Sequence, residues 1–221
     1  MDFVFMLTRN DRTVTDCLDV IELIRPLGLR HVGFKDVGVE RPVLERLTRA
    51  IREMGAVSYM EVVATSAESA RESIRVAAAL GVDRVLGGQD IAFALSALAG
   101  RALYLPFPGR PFGHPTLLAG TPDSVAADCR AAMAAGCAGV DLLAWRATES
   151  DPTALIRAAR QATDGLLLVA GSIDSPLRVR EAMLAGADAF TIGSAVFDGA
   201  FSPSKGSILS QLRDVIDATA L

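Results

Sequence analysis

The polar side chains best suited to chemistry in this sequence stand where short apolar runs end. Four of them are candidates for catalysis: Lys35, Asp36, Glu61 and Arg146. Lysine is scarce, since Lys35 and Lys205 are the two lysines among 22 basic residues. A lysine amine can form a Schiff base with a carbonyl, or its ammonium can stabilise an enediolate while a carboxylate moves the proton. A plain salt bridge between Lys35 and Glu61 is the alternative.

Two glycine–serine pairs late in the chain have the pattern of an anion site. Gly171-Ser172 and Gly193-Ser194 each follow an apolar run. Glycine lets backbone N–H groups approach an anion closely, and a short helix after the second pair would direct its positive end to the same place. Serine adds a hydroxyl donor. Both pairs are therefore predicted to bind phosphate, and the alternative is that the glycines only permit tight turns.

Four further polar residues are predicted to contact the substrate from surrounding loops: Arg9, Asn10, Gln89 and His114. His114 lies in residues 106–115, the longest interruption of the repeat described below. Long ordered loops in small domains are usually functional, and prolines with glycines favour a stiff cover with local hinges. We interpret this segment as a substrate lid, with a structural plug as the alternative.

The acidic residues near these candidates do not form a metal motif. Asp11, Asp36, Glu61 and Asp90 have no histidine at a recognisable ligand spacing. We therefore predict no structural zinc and no cofactor, and the carboxylates leave room only for a loosely held magnesium ion.

A repeated glycine indicates which elements must position these residues. Such a glycine suits the residue after a helix, where the left-handed conformation costs it little. It follows an amphipathic helical pattern and precedes a short apolar run at Gly28, Gly55, Gly81, Gly100, Gly136, Gly165 and Gly186. The runs suit strands covered on both faces. With residues 3–7 as the first, they are 31–34, 57–62, 82–86, 102–105, 140–145, 166–170 and 187–192.

Helix starts are marked as clearly as helix ends. An N-cap side chain precedes a proline at Thr121, Asp151 and Ser175, and Thr65 with Glu68 forms a capping box. Strands and helices therefore alternate along the whole chain.

Eight strands alternating with helices predict a single (β/α)8 TIM barrel spanning residues 1–221. An open doubly wound sheet is the alternative, but residues 8–11 after the first strand lack its glycine-rich fingerprint. Barrel chemistry lies at the carboxyl ends of the strands. Counted from the preceding glycines, Asp83, Asp141 and Asp188 fall at the opposite end and are interpreted as structural, as is His31.

Composition excludes several classes of partner. A net charge of −4 offers no basic stripe for nucleic acid, and no segment is long and apolar enough for a leader or a membrane span. Cys17, Cys129 and Cys137 form no Cys-x-x-Cys pair, so we interpret them as reduced packing residues. We expect a cytoplasmic protein without a nucleic-acid or membrane partner, and a homo-oligomer stays open.

Residues 165–197 resemble the phosphate-binding half of the ribulose-phosphate-binding barrels. The chain reads Gly171-Ser172-Ile173 where Gly-Gly-Ile is commoner, and the eighth strand ends in Gly193-Ser194. The resemblance implies a phosphorylated small-molecule substrate. Aldolases of this group carry a Schiff-base lysine on strand six, where this chain has Trp145-Arg146; other members place a working lysine or carboxylate on strands two and three. FMN-binding barrels use a related phosphate grip, but the short chain makes a flavin unlikely.

We therefore expect an enzyme acting on a small phosphorylated carbonyl or sugar compound. Strands seven and eight would hold the phosphate, and strands two and three would supply the chemistry. An aldolase-like lyase of carbohydrate metabolism is preferred over an isomerase or epimerase, which would use the same residues without breaking a C–C bond. The alternative is a non-catalytic barrel that binds a phosphorylated metabolite and regulates a partner.

Overall fold

Eight parallel strands form the barrel that the glycine repeat predicts. The computed structural model describes residues 1–64 and 66–220. The barrel strands are β1 (Asp2–Met6), β2 (His31–Lys35), β3 (Val57–Val62), β4 (Arg84–Gly87), β5 (Leu103–Leu105), β6 (Gly139–Leu142), β7 (Leu166–Val169) and β8 (Ala189–Ile192). They are hydrogen-bonded in the order β6-β7-β8-β1-β2-β3-β4-β5. The Ala138 N–H donates to the Tyr104 carbonyl and the Asp141 N–H to the Pro106 carbonyl, both at 3.0 Å, which joins β6 to β5. The predicted fold class is confirmed.

The helices surround the barrel and carry the predicted caps. They are α1 (Cys17–Ile24), α2 (Arg41–Glu53), α3 (Ala67–Leu80), α4 (Ile91–Leu98), α5 (Pro122–Ala134), α6 (Pro152–Ala162), α7 (Pro176–Ala185), α8 (Ser194–Phe197) and α9 (Ile208–Thr219). The side chains of Thr121, Asp151 and Ser175 each accept a backbone N–H at the start of their helix, as predicted. Thr65 lies outside the described residues; Ser66 caps α3. No helix among the described residues is long and apolar enough to cross a membrane.

Most of the repeated glycines do what the sequence predicts, and one does something else. Gly81 and Gly186 end their helices in the left-handed conformation, with φ of +68° and +102°. Gly165 has no positive φ; instead, a Cβ there would lie 2.7 Å from the Ala138 carbonyl oxygen. Close approach of the chain before β6 therefore explains the glycine at position 165.

Two antiparallel hairpins stand on the carboxyl-terminal rim of the barrel. The turn hairpin (Thr8–Arg9 paired with Arg12–Thr13) follows β1, and the lid hairpin (Arg110–Phe112 paired with Leu117–Ala119) follows β5. Both interrupt the regular strand–helix alternation. The lid hairpin lies within and just beyond the segment predicted to cover the mouth.

Two of the three aspartates assigned to the amino-terminal end of the barrel lie there. Asp83 accepts the Ser58 N–H at 2.8 Å, and Asp188 accepts the Leu167 N–H at 2.8 Å, so each carboxylate binds the start of a neighbouring strand. The assignment of Asp141 is wrong. Its helix ends at Gly136, not Gly139, so Ala138 takes the position equivalent to Asp83 and Asp188. Asp141 stands three residues higher, inside β6.

Candidate active site

A cavity of about 420 Å³ opens at the carboxyl-terminal end of the barrel. Eight of the residues predicted for catalysis, substrate or phosphate binding line it: Asn10, Lys35, Glu61, Arg146, Gly171, Ser172, Gly193 and Ser194. They come from the ends of β1, β2, β3, β6, β7 and β8. A parallel barrel gathers these strand ends at one rim, and this explains why residues so distant in sequence share one cavity.

Lys35 lies at the floor of this cavity between two carboxylates. It is the last residue of β2 and pairs in register with Glu61 of β3, so both side chains point to the same face. The Lys35 Nζ lies 2.8 Å from Asp11 Oδ1 and 3.0 Å from Glu61 Oε2, and all three side chains are buried. Lys35 is therefore the centre of a buried cluster of ion pairs.

Asp11 connects the two cations of the site, and sequence reasoning did not select it as a site residue. Its carboxylate accepts two hydrogen bonds from the Arg146 guanidinium, at 2.7 and 2.9 Å, beside the bond from Lys35. Burial opposes ionisation of Asp11, but hydrogen bonds and charges from Arg146 and Lys35 outweigh it and hold the pKa of this carboxyl well below its ordinary value.

The turn hairpin places Asp11 in the cavity. Asn10 and Asp11 have φ of +51° and +58°, the signs required at both central residues of a type I′ turn. Asparagine and aspartate tolerate this conformation better than most residues. The Asn-Asp pair directly after an apolar strand was therefore the sequence signal for a hairpin turn reaching over the barrel mouth.

Asp141 adds a third carboxyl group beneath the cavity floor. Asp141 of β6 pairs in register with Leu168 of β7, and Leu168 pairs with Ala189 of β8. These three side chains lie on the face of the sheet that points into the barrel. The side chain is fully buried, and neither carboxyl oxygen has a hydrogen-bond partner within residues 1–64 and 66–220. Burial and the negative charge of Glu61 raise its pKa well above the ordinary value, against smaller effects of Lys35 and Arg146. Asp141 is therefore a neutral acid next to a charged cluster.

Packing requires both glycines at the predicted phosphate rim, and at Gly171 the backbone conformation requires glycine as well. Gly171 has φ of +79°, and a Cβ there would lie 2.8 Å from Cδ of Arg146. Because Gly171 has no side chain, the Arg146 side chain can pass over it and reach Asp11. At Gly193, a Cβ would lie 2.8 Å from the Thr8 carbonyl oxygen, so glycine is needed here for the turn hairpin to pack against the end of β8.

The two serines of this rim are held differently from each other. Ser172 adopts φ of +57°, and its carbonyl accepts a hydrogen bond from Arg178 of α7. The Ser194 hydroxyl accepts the Asn10 N–H at 3.2 Å, at the start of α8. Both residues border the cavity, so their positions agree with an anion site, and phosphate binding itself stays a prediction.

Four of the predicted site residues do not line this cavity. Asp36 accepts a hydrogen bond from Ser73 of α3, because the residue after Lys35 points to the opposite face of the strand. Arg9 forms an exposed ion pair with Asp198 at 2.6 Å. Gln89 donates to the Gly109 carbonyl at 2.6 Å and so holds the loop after β5. His114 is exposed at the tip of the lid hairpin.

The lid hairpin reaches the charged cluster through its backbone. The Thr116 N–H donates to Asp11 at 3.1 Å, and the Thr116 carbonyl accepts from Arg146 at 3.1 Å. Pro115 and Leu117 border the cavity on either side. The segment predicted as a lid, residues 106–115, therefore reaches the cavity at its last residue, Pro115, while the hydrogen bonds to the charged cluster come from Thr116, just beyond that segment. His114 makes neither contact. A backbone contact leaves no residue-type signal in the sequence.

The described part of the chain holds no group of three or more histidine, cysteine or acidic side chains placed to bind a metal ion. Cys17, Cys129 and Cys137 are free and buried. Burial raises the pKa of the Cys129 thiol to about 12 and that of Cys137 to about 11. These thiols are packing residues, as the sequence predicts.

Comparison with solved structures places the fold. No family model matches the chain, and no curated protein matches its sequence. The model is similar to orotidine 5′-phosphate decarboxylase from Pyrococcus horikoshii OT3, with 13% identity, 98% of both chains covered and a TM-score of 0.67. The resemblance to phosphate-binding barrels is confirmed for the fold.

Two further solved structures extend this likeness. Thiamine phosphate pyrophosphorylase from Pyrococcus furiosus is 15% identical, with 97% of this chain and 94% of that chain covered and a TM-score of 0.63. A chain of the Amycolatopsis orientalis BexX/CysO complex is 21% identical, with 99% and 88% covered and a TM-score of 0.64. At these identities the likeness concerns the fold.

Proposed function

We propose that this protein is an enzyme that acts on a small phosphorylated carbonyl or sugar compound, as a lyase in preference to an isomerase or epimerase. The observation that carries the proposal is the Lys35 ammonium held between Asp11 and Glu61 at the floor of the 420 Å³ cavity. Two structurally similar barrels have names that specify phosphorylated compounds, orotidine 5′-phosphate and thiamine phosphate. Their names agree with the substrate class.

The phosphate group would bind at Gly171-Ser172 and Gly193-Ser194. In that position the rest of a small substrate extends across the cavity toward Lys35, Glu61 and Arg146, which line the same space. The first N–H groups of a helix lack intrahelical acceptors, so those at the start of α8 are suited to an anion.

The reaction would pass through a carbanion next to the carbonyl group. In the isomerase route Glu61 would accept a proton from the carbon next to the carbonyl and return it to the neighbouring carbon. In the lyase route Glu61 would accept the proton of the hydroxyl group beyond the C–C bond, that bond would break, an aldehyde would leave, and the remaining fragment would regain the proton. In both routes the carbonyl oxygen gains negative charge in the intermediate. Lys35 and Arg146 place two cations where this charge develops, in a largely buried site where electrostatic stabilisation is effective. Asp141, neutral and buried below them, would keep a further negative charge out of the cluster.

The contacts of Lys35 favour an electrostatic role over a Schiff base. The amine is held in ion pairs with Asp11 and Glu61, and both contacts would have to break before the nitrogen could attack a carbonyl carbon. The lyase and isomerase routes share the enediolate that this ammonium would stabilise. They differ in whether the electron pair comes from a C–H or a C–C bond.

The test is turnover of a panel of phosphorylated aldehydes, ketones and sugars, followed by phosphorus NMR. We expect a product for at least one of them, and a loss of at least about 10²-fold in rate for Lys35→Met, the usual contribution of a group that handles charge or protons. Lys205→Met is the matched control, since Lys205 pairs with Asp214 on the surface, away from the cavity. Phosphate binding without turnover of any compound would favour the non-catalytic barrel instead.

A further inference from the structure

A second cavity lies on the same rim, beside the charged one. Its volume is about 310 Å³, roughly ten times the share of one water molecule in the liquid, about 30 Å³. It is bordered by the segments that follow β3 and β4, by the start of α3 and by the lid hairpin. We call it the apolar pocket, because apolar residues form the larger part of its wall: Val63, Ala64, Ala67, Ala70, Phe107 and Pro111. The remainder is Ser66, Gly88, Gln89, Asp90 and Thr116, with the Asp90 carboxylate paired with Arg71.

The lid hairpin separates this pocket from the charged cavity. Thr116 borders the apolar pocket, while its backbone N–H and carbonyl bind Asp11 and Arg146 of the charged cavity. Its neighbours Pro115 and Leu117 line the charged cavity. A ligand in the apolar pocket would therefore lie one residue away from the Asp11–Arg146 pair.

One buried hydroxyl at the wall of this pocket, that of Thr116, and a second behind the wall, that of Tyr104, have no hydrogen-bond partner among the described residues. Thr116 is 2% exposed, and the Tyr104 hydroxyl lies 3.3 Å from where a Cβ of Gly88, a pocket residue, would stand. Buried hydroxyls in native proteins are normally paired, so unpaired ones beside a cavity indicate a missing partner.

We propose that the apolar pocket is a second ligand site, which takes an uncharged aromatic or branched-alkyl group carrying one hydrogen-bonding atom. The group is either a substituent of the phosphorylated substrate, in which case the inference rests on the proposed function, or a separate molecule. A polyhydroxylated sugar chain fits this pocket less well than such a group, because the apolar side chains that form the larger part of the wall offer its hydroxyls no replacement for the water they lose.

The test uses benzyl alcohol as the probe and glycerol as its polar control, with binding followed by NMR. We expect benzyl alcohol to bind the wild-type chain and glycerol not to bind. Thr116→Val should weaken benzyl alcohol about 2- to 10-fold, the equivalent of one neutral hydrogen bond, while Thr116→Ser keeps the hydroxyl and the affinity. Ala70→Phe should abolish binding by filling the pocket. Unchanged affinity in both Ala70→Phe and Thr116→Val, or equal binding of glycerol, would overturn the inference.

Two further binding measurements test this inference independently of the proposed function. Sulfate affinity should be the same in wild type and Ala70→Phe, because Ala70 lies on α3 and borders the apolar pocket but not the charged cavity. Failure of sulfate to bind at all would count against the proposed phosphate site and leave the apolar pocket standing. If benzyl phosphate displaces both sulfate and benzyl alcohol, the group in the apolar pocket is a substituent of the phosphorylated substrate. If it does not, and sulfate and benzyl alcohol bind at the same time, the group belongs to a separate molecule.

Discussion

Replacing Asp141 by asparagine should change how the stability of the barrel depends on pH. The native state keeps this carboxyl protonated because it is fully buried, has no hydrogen-bond partner in the described part of the chain and lies close to Glu61. In the unfolded chain the same group ionises at its ordinary value, 3.8. Above that value the native state binds more protons than the unfolded state, so the contribution of Asp141 to the free energy of unfolding falls as pH rises.

The size of this effect follows from linkage. While the native carboxyl stays neutral and the unfolded one is ionised, the wild-type chain loses about 1.4 kcal/mol of stability per pH unit relative to a variant without the group. The loss ends once pH passes the raised native pKa. Asp141→Asn and Asp141→Leu both remove the titrating group. The difference in free energy of unfolding between each variant and wild type should therefore increase with pH, at the same rate for both variants.

The assay is urea unfolding of the three chains at a series of values between about pH 4 and pH 7. The contribution of Asp11 to the free energy of unfolding depends on pH in the opposite direction. Because the pKa of Asp11 is lowered in the native state, its contribution falls as pH drops through the acid range. All three chains contain Asp11, so its contribution cancels when their free energies of unfolding are subtracted. Parallel stability curves for wild type and Asp141→Asn would refute the neutral, buried carboxyl.

Three further changes test the contacts around the cavity. Asp11→Asn should lower the free energy of unfolding by about 3–5 kcal/mol, measured in urea, because it leaves the half-buried Arg146 without its carboxylate and the buried Lys35 with Glu61 alone; a loss below about 1 kcal/mol, typical of an exposed ion pair, would contradict this. Gly193→Ala should weaken sulfate binding in titration calorimetry at a stability cost of about 1–3 kcal/mol, because its Cβ meets the backbone of the turn hairpin. Gly206→Ala is the control, because a Cβ at position 206 contacts nothing. Equal sulfate affinity in the two variants would contradict the phosphate site at Gly193. Borohydride with a turned-over carbonyl substrate should leave Lys35 and Lys205 unmodified by mass spectrometry; trapping at Lys35 would restore the Schiff-base route.

The sequence predicted the barrel and most of its rim because both depend on local patterns. Helix caps such as Thr121 and helix-ending glycines such as Gly81 act within a few residues, so they can be read without a structure. Alternation of side chains along a strand is similarly local. It places Lys35 inside the barrel and Asp36 outside, and applying it strictly would have removed Asp36 from the catalytic candidates.

The site residues that escaped prediction depend on contacts between distant segments. Asp11 belongs to the cavity only because a hairpin turn reaches across the mouth to Arg146, 135 positions away. Thr116 contributes backbone atoms, which any residue type would supply. Asp141 was misplaced because the reference glycine was chosen within the strand; counting from Gly136, which ends the helix, would have put it inside the barrel.

The central claim is that Lys35, Glu61 and Arg146 stabilise a carbanion on a phosphorylated carbonyl compound. The most direct measurement is proton NMR of dihydroxyacetone phosphate, a small phosphorylated ketone, in deuterium oxide with wild-type enzyme and with Lys35→Met. The account predicts that wild type exchanges the proton next to the carbonyl faster than buffer does, and that Lys35→Met loses at least about 10²-fold of this rate. Exchange at the buffer rate in wild type, with sulfate shown to bind the same cavity, would contradict it.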